Sequence, residues 1–75
     1  MPRTNVNRTQ TQYRRFNDWV RGELKTRHDN QGNLAQYLNL SRSSLTLRLL
    51  GKVEWTFKEV LNTAEYFGVD IAEII

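Results

Sequence analysis

Arg42, Ser43, Thr46 and Leu47 are expected on one broad arc of a short helical stretch whose Leu45 and Leu49 point into the core. The chemistry of that arc is recognition. Arginine can make two parallel hydrogen bonds to guanine O6 and N7, Ser and Thr hydroxyls bond base edges or phosphates, and a leucine can meet a thymine methyl group. These four residues are therefore the expected base-reading set. Catalysis has little to stand on, because the chain has one His, no Cys and no pair of carboxylates in an apolar setting. His28 lies in a polar helix terminus, where a solvated role is expected. No enzyme activity, catalytic residue, metal, cofactor or small-molecule substrate is expected.

The elements that must position this arc are two short helices between Gln31 and Gly51. Leu34, Ala35 and Leu38 give the first an apolar face, and Leu45 and Leu49 repeat that spacing in the second. Asn39 between them suits the positive φ of a tight turn. Asn30 is the expected N-cap of the first helix, and its first-turn amides around Gln31 and Gly32 could bind a phosphate. Ser41 is expected to cap the second helix and to stand beside a DNA phosphate. Gly51 stops that helix, and Leu50 is expected to unwind there and pack inward. Arg48 is expected to lay its stem over the core and extend its charge to an acid of the following helix. Two helices bent in this way make a helix-turn-helix, which places its second helix in the DNA major groove.

Residues 1–12 are polar apart from Val6 and Met1 and are expected to form a flexible basic arm, with Arg3 and Arg8 set to touch DNA phosphates. The plain alternative is a frayed terminus. From Thr11 or Gln12 to Arg27, the apolar residues Tyr13, Phe16, Val20 and Leu24, with Trp19 beside them, predict helix one. Thr56 and Glu59 form a capping box, and Trp55 and Val60 occupy the hydrophobic-staple positions around it, so a further helix should start at Phe57. Its apolar positions are Phe57, Val60, Leu61, Ala64 and Phe67, and Gly68 ends it. Asp70 and Glu73 suggest a short last helix over Ile71–Ile75. The expected fold is all-α: a compact five-helix bundle containing a helix-turn-helix, with a disordered N-terminal arm at 1–12 and one domain over 13–75.

Charge is distributed unevenly. Residues 1–52 hold ten Lys or Arg and three acids, whereas residues 53–75 hold one Lys and five acids, and no acid occurs from Asn30 to Val53. A basic half facing a polyanion and an acidic half facing away is the layout of a nucleic-acid binder, although solvated surface charge alone can produce it. Seventy-five residues suit a single small core with no disulfide to support it. No apolar run approaches the ~20 residues of a membrane span and no signal-peptide pattern precedes the domain, so a cytoplasmic, nucleoid-associated location without membrane contact is expected.

The order Gln31, Leu34-Ala35, Leu38, a turn residue, Ser41-Arg42-Ser43, Leu45 and Gly51, followed by an amphipathic helix and Gly68-Val69-Asp70-Ile71-Ala72-Glu73-Ile74-Ile75, resembles the lambda repressor-like helix-turn-helix domains of phage repressors and Cro proteins. The resemblance spans roughly residues 13–75. Two positions depart from it: Asn39 replaces the usual Gly, and Arg48 stands where many members carry a buried aliphatic residue. The resemblance implies that Gln31 bonds a backbone phosphate and braces a side chain of the second helix. It also implies that Lys52 sits by the phosphate backbone and that the C-terminal helix contributes to a homodimer.

The expected function is a sequence-specific DNA-binding transcriptional regulator, a Cro-like phage or prophage repressor that occupies an operator through the helix starting at Ser41. Its expected partner is double-stranded DNA, with a palindromic operator if the chain pairs as a homodimer. Two alternatives share the fold: an excisionase-like or architectural recombination cofactor that bends DNA, and a protein-interaction module such as an antitoxin or antirepressor.

Overall fold

A computed structural model of the protein describes the backbone of residues 4–74 and the side chains of residues 13–74. Four helices follow in order, α1 (Thr4–Thr26), α2 (Gln31–Leu38), α3 (Arg42–Leu49) and α4 (Phe57–Phe67), and a 3-10 turn spans Ile71–Glu73. The domain is all-α.

Each helix ends by the same local device. A residue one or two positions beyond the helix takes a left-handed conformation, at His28 (φ 56°), Asn39 (φ 61°), Gly51 (φ 79°) and Gly68 (φ 74°). Behind each, two amides turn back onto the final carbonyls. At α2, Asn39 N–H bonds Gln36 O at 3.1 Å and Leu40 N–H bonds Ala35 O at 2.9 Å, the Schellman pattern. Starts are equally local: Asn30 accepts from the Asn33 amide, Ser41 from the Ser44 amide, and Thr56 and Glu59 form the complete capping box.

One core gathers Phe16, Val20 and Leu24 of α1, Leu34, Ala35 and Leu38 of α2, Leu45 and Leu49 of α3, and Trp55, Val60 and Phe67. Removing each large side chain from water stabilises the fold by about 2 kcal/mol before entropy is counted. Aromatic edges supply the geometry. Phe16 meets Trp55 edge-on at 4.9 Å between ring centroids, and Trp19 meets Phe67 edge-on at 5.4 Å. Ile71 and Ile74 pack against this core.

Four sequence expectations need revision. The periodicity predicts that helix one starts at Thr11 or Gln12, whereas helical backbone extends back to Thr4. No Pro or Gly interrupts residues 4–12, and a helical backbone does not require the apolar face on which the prediction rests. The expected basic contacts of the arm lie outside the described residues, since neither Arg3 nor the Arg8 side chain is described.

The fifth helix is only a 3-10 turn. Asp70 caps it through the Ala72 amide at 3.0 Å, and the bonds Glu73 N–H to Asp70 O and Ile74 N–H to Ile71 O close over three residues instead of four. Leu50, expected to turn inward, is 58% exposed. It keeps right-handed backbone angles and bonds Thr46 O at 2.9 Å, so the chain reverses only at Gly51. Phe57 and Leu61 also fall outside the core, at 70% and 38% exposed. The inward arc of α4 consists of Val60, Thr63, Ala64 and Phe67, and Leu61 lies about 100° away from Val60.

Candidate nucleic-acid interface

Helix α3 is eight residues long, with only Leu45 and Leu49 buried. Two leucines four residues apart form a single apolar line, which by itself permits the helix to roll about that line. Polar contacts to other helices restrain it on both flanks and at its C-terminus, and a local cap closes its N-terminus.

At the N-terminus, Ser41 Oγ accepts from the Ser44 amide at 3.0 Å and donates to Ser44 Oγ at 3.0 Å. On the flank toward α2, the Thr46 hydroxyl donates to Gln31 Oε1 at 3.1 Å. On the flank toward α4, Arg48 Nε and Nη2 donate to the two oxygens of Glu59 at 2.8 and 3.1 Å, while Nη1 donates to Ser44 O at 3.1 Å. At the C-terminus, Arg21 of α1 donates to the Leu49 carbonyl, placing a cation at the negative end of the helix.

The four residues expected from the sequence to read bases divide into two environments. Arg42 and Ser43 are exposed in the first turn of α3, and Leu47 is 40% exposed. Thr46 is half-buried and occupied with Gln31, so its hydroxyl proton is already placed. Among the residues assigned to phosphate, Ser41 and Lys52 are exposed and Gln31 is half-buried at the first position of α2. Lys52 follows Gly51, its amide bonded to Leu47 O at 2.9 Å. Thus Gln31 and Thr46 come together, Ser41 stands beside Arg42, and Lys52 is tied to the far end of α3.

The start of α2 has charge chemistry that the sequence reading did not anticipate. Asp29 accepts from the Asn30 amide at 2.8 Å, from Asn33 Nδ2 at 2.7 Å and from the Tyr66 hydroxyl. Tyr66, then Asn33 and the Asn30 amide, hold its carboxyl below the ordinary value. The carboxylate in turn pushes the Tyr66 phenol up to about 12. An Asp immediately before a helix is a familiar local signal, but its Tyr66 partner lies 37 residues away and could not be read locally.

Glu59 is the second such residue. Burial alone would raise its carboxyl, but the bonds from Arg48 and from the Thr56 amide outweigh burial and hold it below the ordinary value. Both side chains of this ion pair are about 15% exposed, at 14% for Arg48 and 15% for Glu59. Of the two arginines in α3, Arg48 is therefore committed inside the fold, and Arg42 is the one presented outward.

Arg14, Asp18 and Arg21 of α1 face Leu49, Leu50 and Gly51 across a cleft of about 370 Å³. Asp18 lies 3.3 Å from Arg21, so the cleft carries both signs of charge. Among the described residues, no group of three His, Cys, Asp or Glu side chains gathers as a metal site, and no helix is long and apolar enough to cross a membrane. Comparison with protein-family models, with curated proteins and with solved structures found no match to this chain in any of the three.

Proposed function

We propose that the protein is a sequence-specific DNA-binding transcriptional regulator, in which α2 and α3 act as a helix-turn-helix of the lambda repressor-like kind and α3 enters the major groove. The observation that carries this reading is the restraint of α3 on both flanks and at its C-terminus by α1, α2 and α4, which leaves Arg42, Ser43 and Leu47 outward on a helix two turns long. A rigid mounting with an unburied face is what recognition of base edges requires. The stretch from Asn30 to Val53 that contains that face has no acidic residue, and this favours approach to a polyanion.

In this reading Arg42 meets a guanine edge, Ser43 a base or phosphate, Leu47 a thymine methyl, and Thr46 a base through the orientation that Gln31 imposes. The α2 start, Ser41 and Lys52 meet phosphates, and Arg3 and Arg8 would add backbone contacts. The protein would act as a Cro-like phage or prophage repressor in the cytoplasm, occupying an operator and excluding polymerase. A second copy of the chain is the natural partner for a palindromic site. Because Ile71 and Ile74 pack against the core, exposed Phe57 and Leu61 are the apolar residues better placed to meet it.

The test is selection from a random duplex pool followed by gel-shift titration of the selected sequence and a scrambled one over a range of salt. The selected sequence should bind far more tightly, and binding to both should weaken steeply with salt as phosphate contacts release counterions. Indifference to sequence and to salt would remove the DNA-binding reading. Strong bending of the bound duplex without repression of a reporter would instead favour the recombination cofactor.

A further inference from the structure

We propose that the Arg48–Glu59 ion pair is a positioning device that sets the base preference of α3 without touching DNA, and that Glu59 links this task to the capping of α4. The proposal rests on the DNA-reading function above. Taking the line between Leu45 and Leu49 as the buried centre of α3, Thr46 and Arg48 fall about 80° to either side of it. Each flank is held by one polar contact, Thr46 to Gln31 and Arg48 to Glu59. Removing one frees the helix to roll toward the other, and a recognition site tolerates only about 0.5 Å of misplacement.

The Arg48 side has the stronger geometry. It is a paired fork, with two parallel charge-assisted hydrogen bonds to one carboxylate and its third nitrogen on Ser44 O. Glu59 Oε1 also accepts from the Thr56 amide at 3.0 Å, completing the α4 cap. A continuous set of bonds therefore runs from Thr56 through Glu59, Arg48 and Ser44 to Ser41, next to Arg42. The first turn of α4 thereby serves as the fixed reference for the first turn of α3.

Glu59→Gln separates the two jobs of this residue. Glutamine at this position of a capping box still offers an oxygen to the Thr56 amide, but it loses the charge and the second acceptor used by Arg48. Arg48→Met keeps most of the stem length and removes the fork. Discrimination between the selected duplex and a scrambled one should be measured for both variants, and for the double variant, at a temperature at which circular dichroism shows each to be folded.

Each single variant should lose about tenfold in discrimination, the scale of one lost bidentate base contact. Scrambled-duplex affinity and the slope of log K against log salt should stay at wild-type values. The double variant should lose little more than the worse single variant, because the two residues act as one unit. Wild-type discrimination in folded Glu59→Gln and Arg48→Met would overturn the proposal. A salt slope reduced by about one in Arg48→Met would also overturn it, since that is the mark of a direct phosphate contact. A wild-type protein without sequence preference is a separate result that would overturn the DNA-reading function and this proposal with it.

Discussion

The indole N–H of Trp55 donates to the side-chain oxygen of Asn17 across 2.6 Å, joining the middle of α1 to the segment that leads into α4. Both residues are 3% exposed, so neither group has water as a substitute partner. Asn17→Ala should leave the indole N–H buried and unpaired, at a cost of about 2 kcal/mol. For a domain of this size that corresponds to a fall in Tm of roughly 10 °C. Urea unfolding followed by tryptophan fluorescence measures it, and an unchanged midpoint would show that the bond contributes nothing.

His28 closes α1 with a φ of 56°, a conformation that costs a residue with a Cβ more than it costs glycine. Its side chain is exposed, so little packing is lost with it. His28→Gly should therefore stabilise the protein by about 1 kcal/mol, raising Tm by about 4–8 °C. Calorimetry decides it. Asn39→Gly should gain less, because asparagine tolerates the left-handed region.

Tyr66 donates to Asp29 and should ionise near pH 12, against an ordinary value of 10.0. Because the folded value is raised, the stability contributed by this phenol is complete below pH 10 and is lost as pH rises toward 12. The Asp29 carboxyl is shifted the other way. Its contribution is complete above its ordinary value of 3.8 and is lost as pH falls through the lower folded value. Spectrophotometric titration of Asp29→Asn should show the Tyr66 transition moving down toward 10, and an unmoved transition would disprove the coupling.

Arg42 is exposed in the first turn of α3, next to the capping Ser41. On the proposed function, Arg42→Ala should cost roughly 1–3 kcal/mol of binding to the selected duplex and relax preference at one base position. Repeating the selection with the variant tests both parts. An identical selected sequence would mean that another face of the domain reads DNA.

Phe57 is 70% exposed at the first position of α4. Phe57→Ser should change monomer stability by no more than about 0.5 kcal/mol, yet weaken cooperative occupancy of a two-half-site duplex if a second copy docks there. Sedimentation and two-site titration distinguish these effects. Equal cooperativity in variant and wild type would exclude this face from pairing.

The features legible in the sequence were those whose partners lie within about five residues. Asn30, Ser41, the Thr56–Glu59 box and Asp70 cap amides two or three positions on, and Asn39, Gly51 and Gly68 reverse the chain where a residue tolerant of positive φ is needed. Apolar spacing likewise identified the buried apolar residues of α1, α2 and α3, with Tyr13 and Trp19 of the same α1 set only partly buried. That Arg48 would reach an acid of α4 followed from the length of its side chain, whereas the choice of Glu59 did not.

What only the tertiary structure decided were matters of facing. Leu50 and Phe57 have the composition of core residues, but the rotation of α3 and α4 against their neighbours leaves both outside. Asn17 has the composition of a surface residue and is buried because Trp55 arrives from 38 positions away. Gln31 and Thr46 meet across 15 positions, and Arg48 and Glu59 across 11. Backbone capping is governed by local geometry that any helix end imposes, whereas each of these pairings depends on how whole helices pack, and periodicity defines a face without naming what will lie against it.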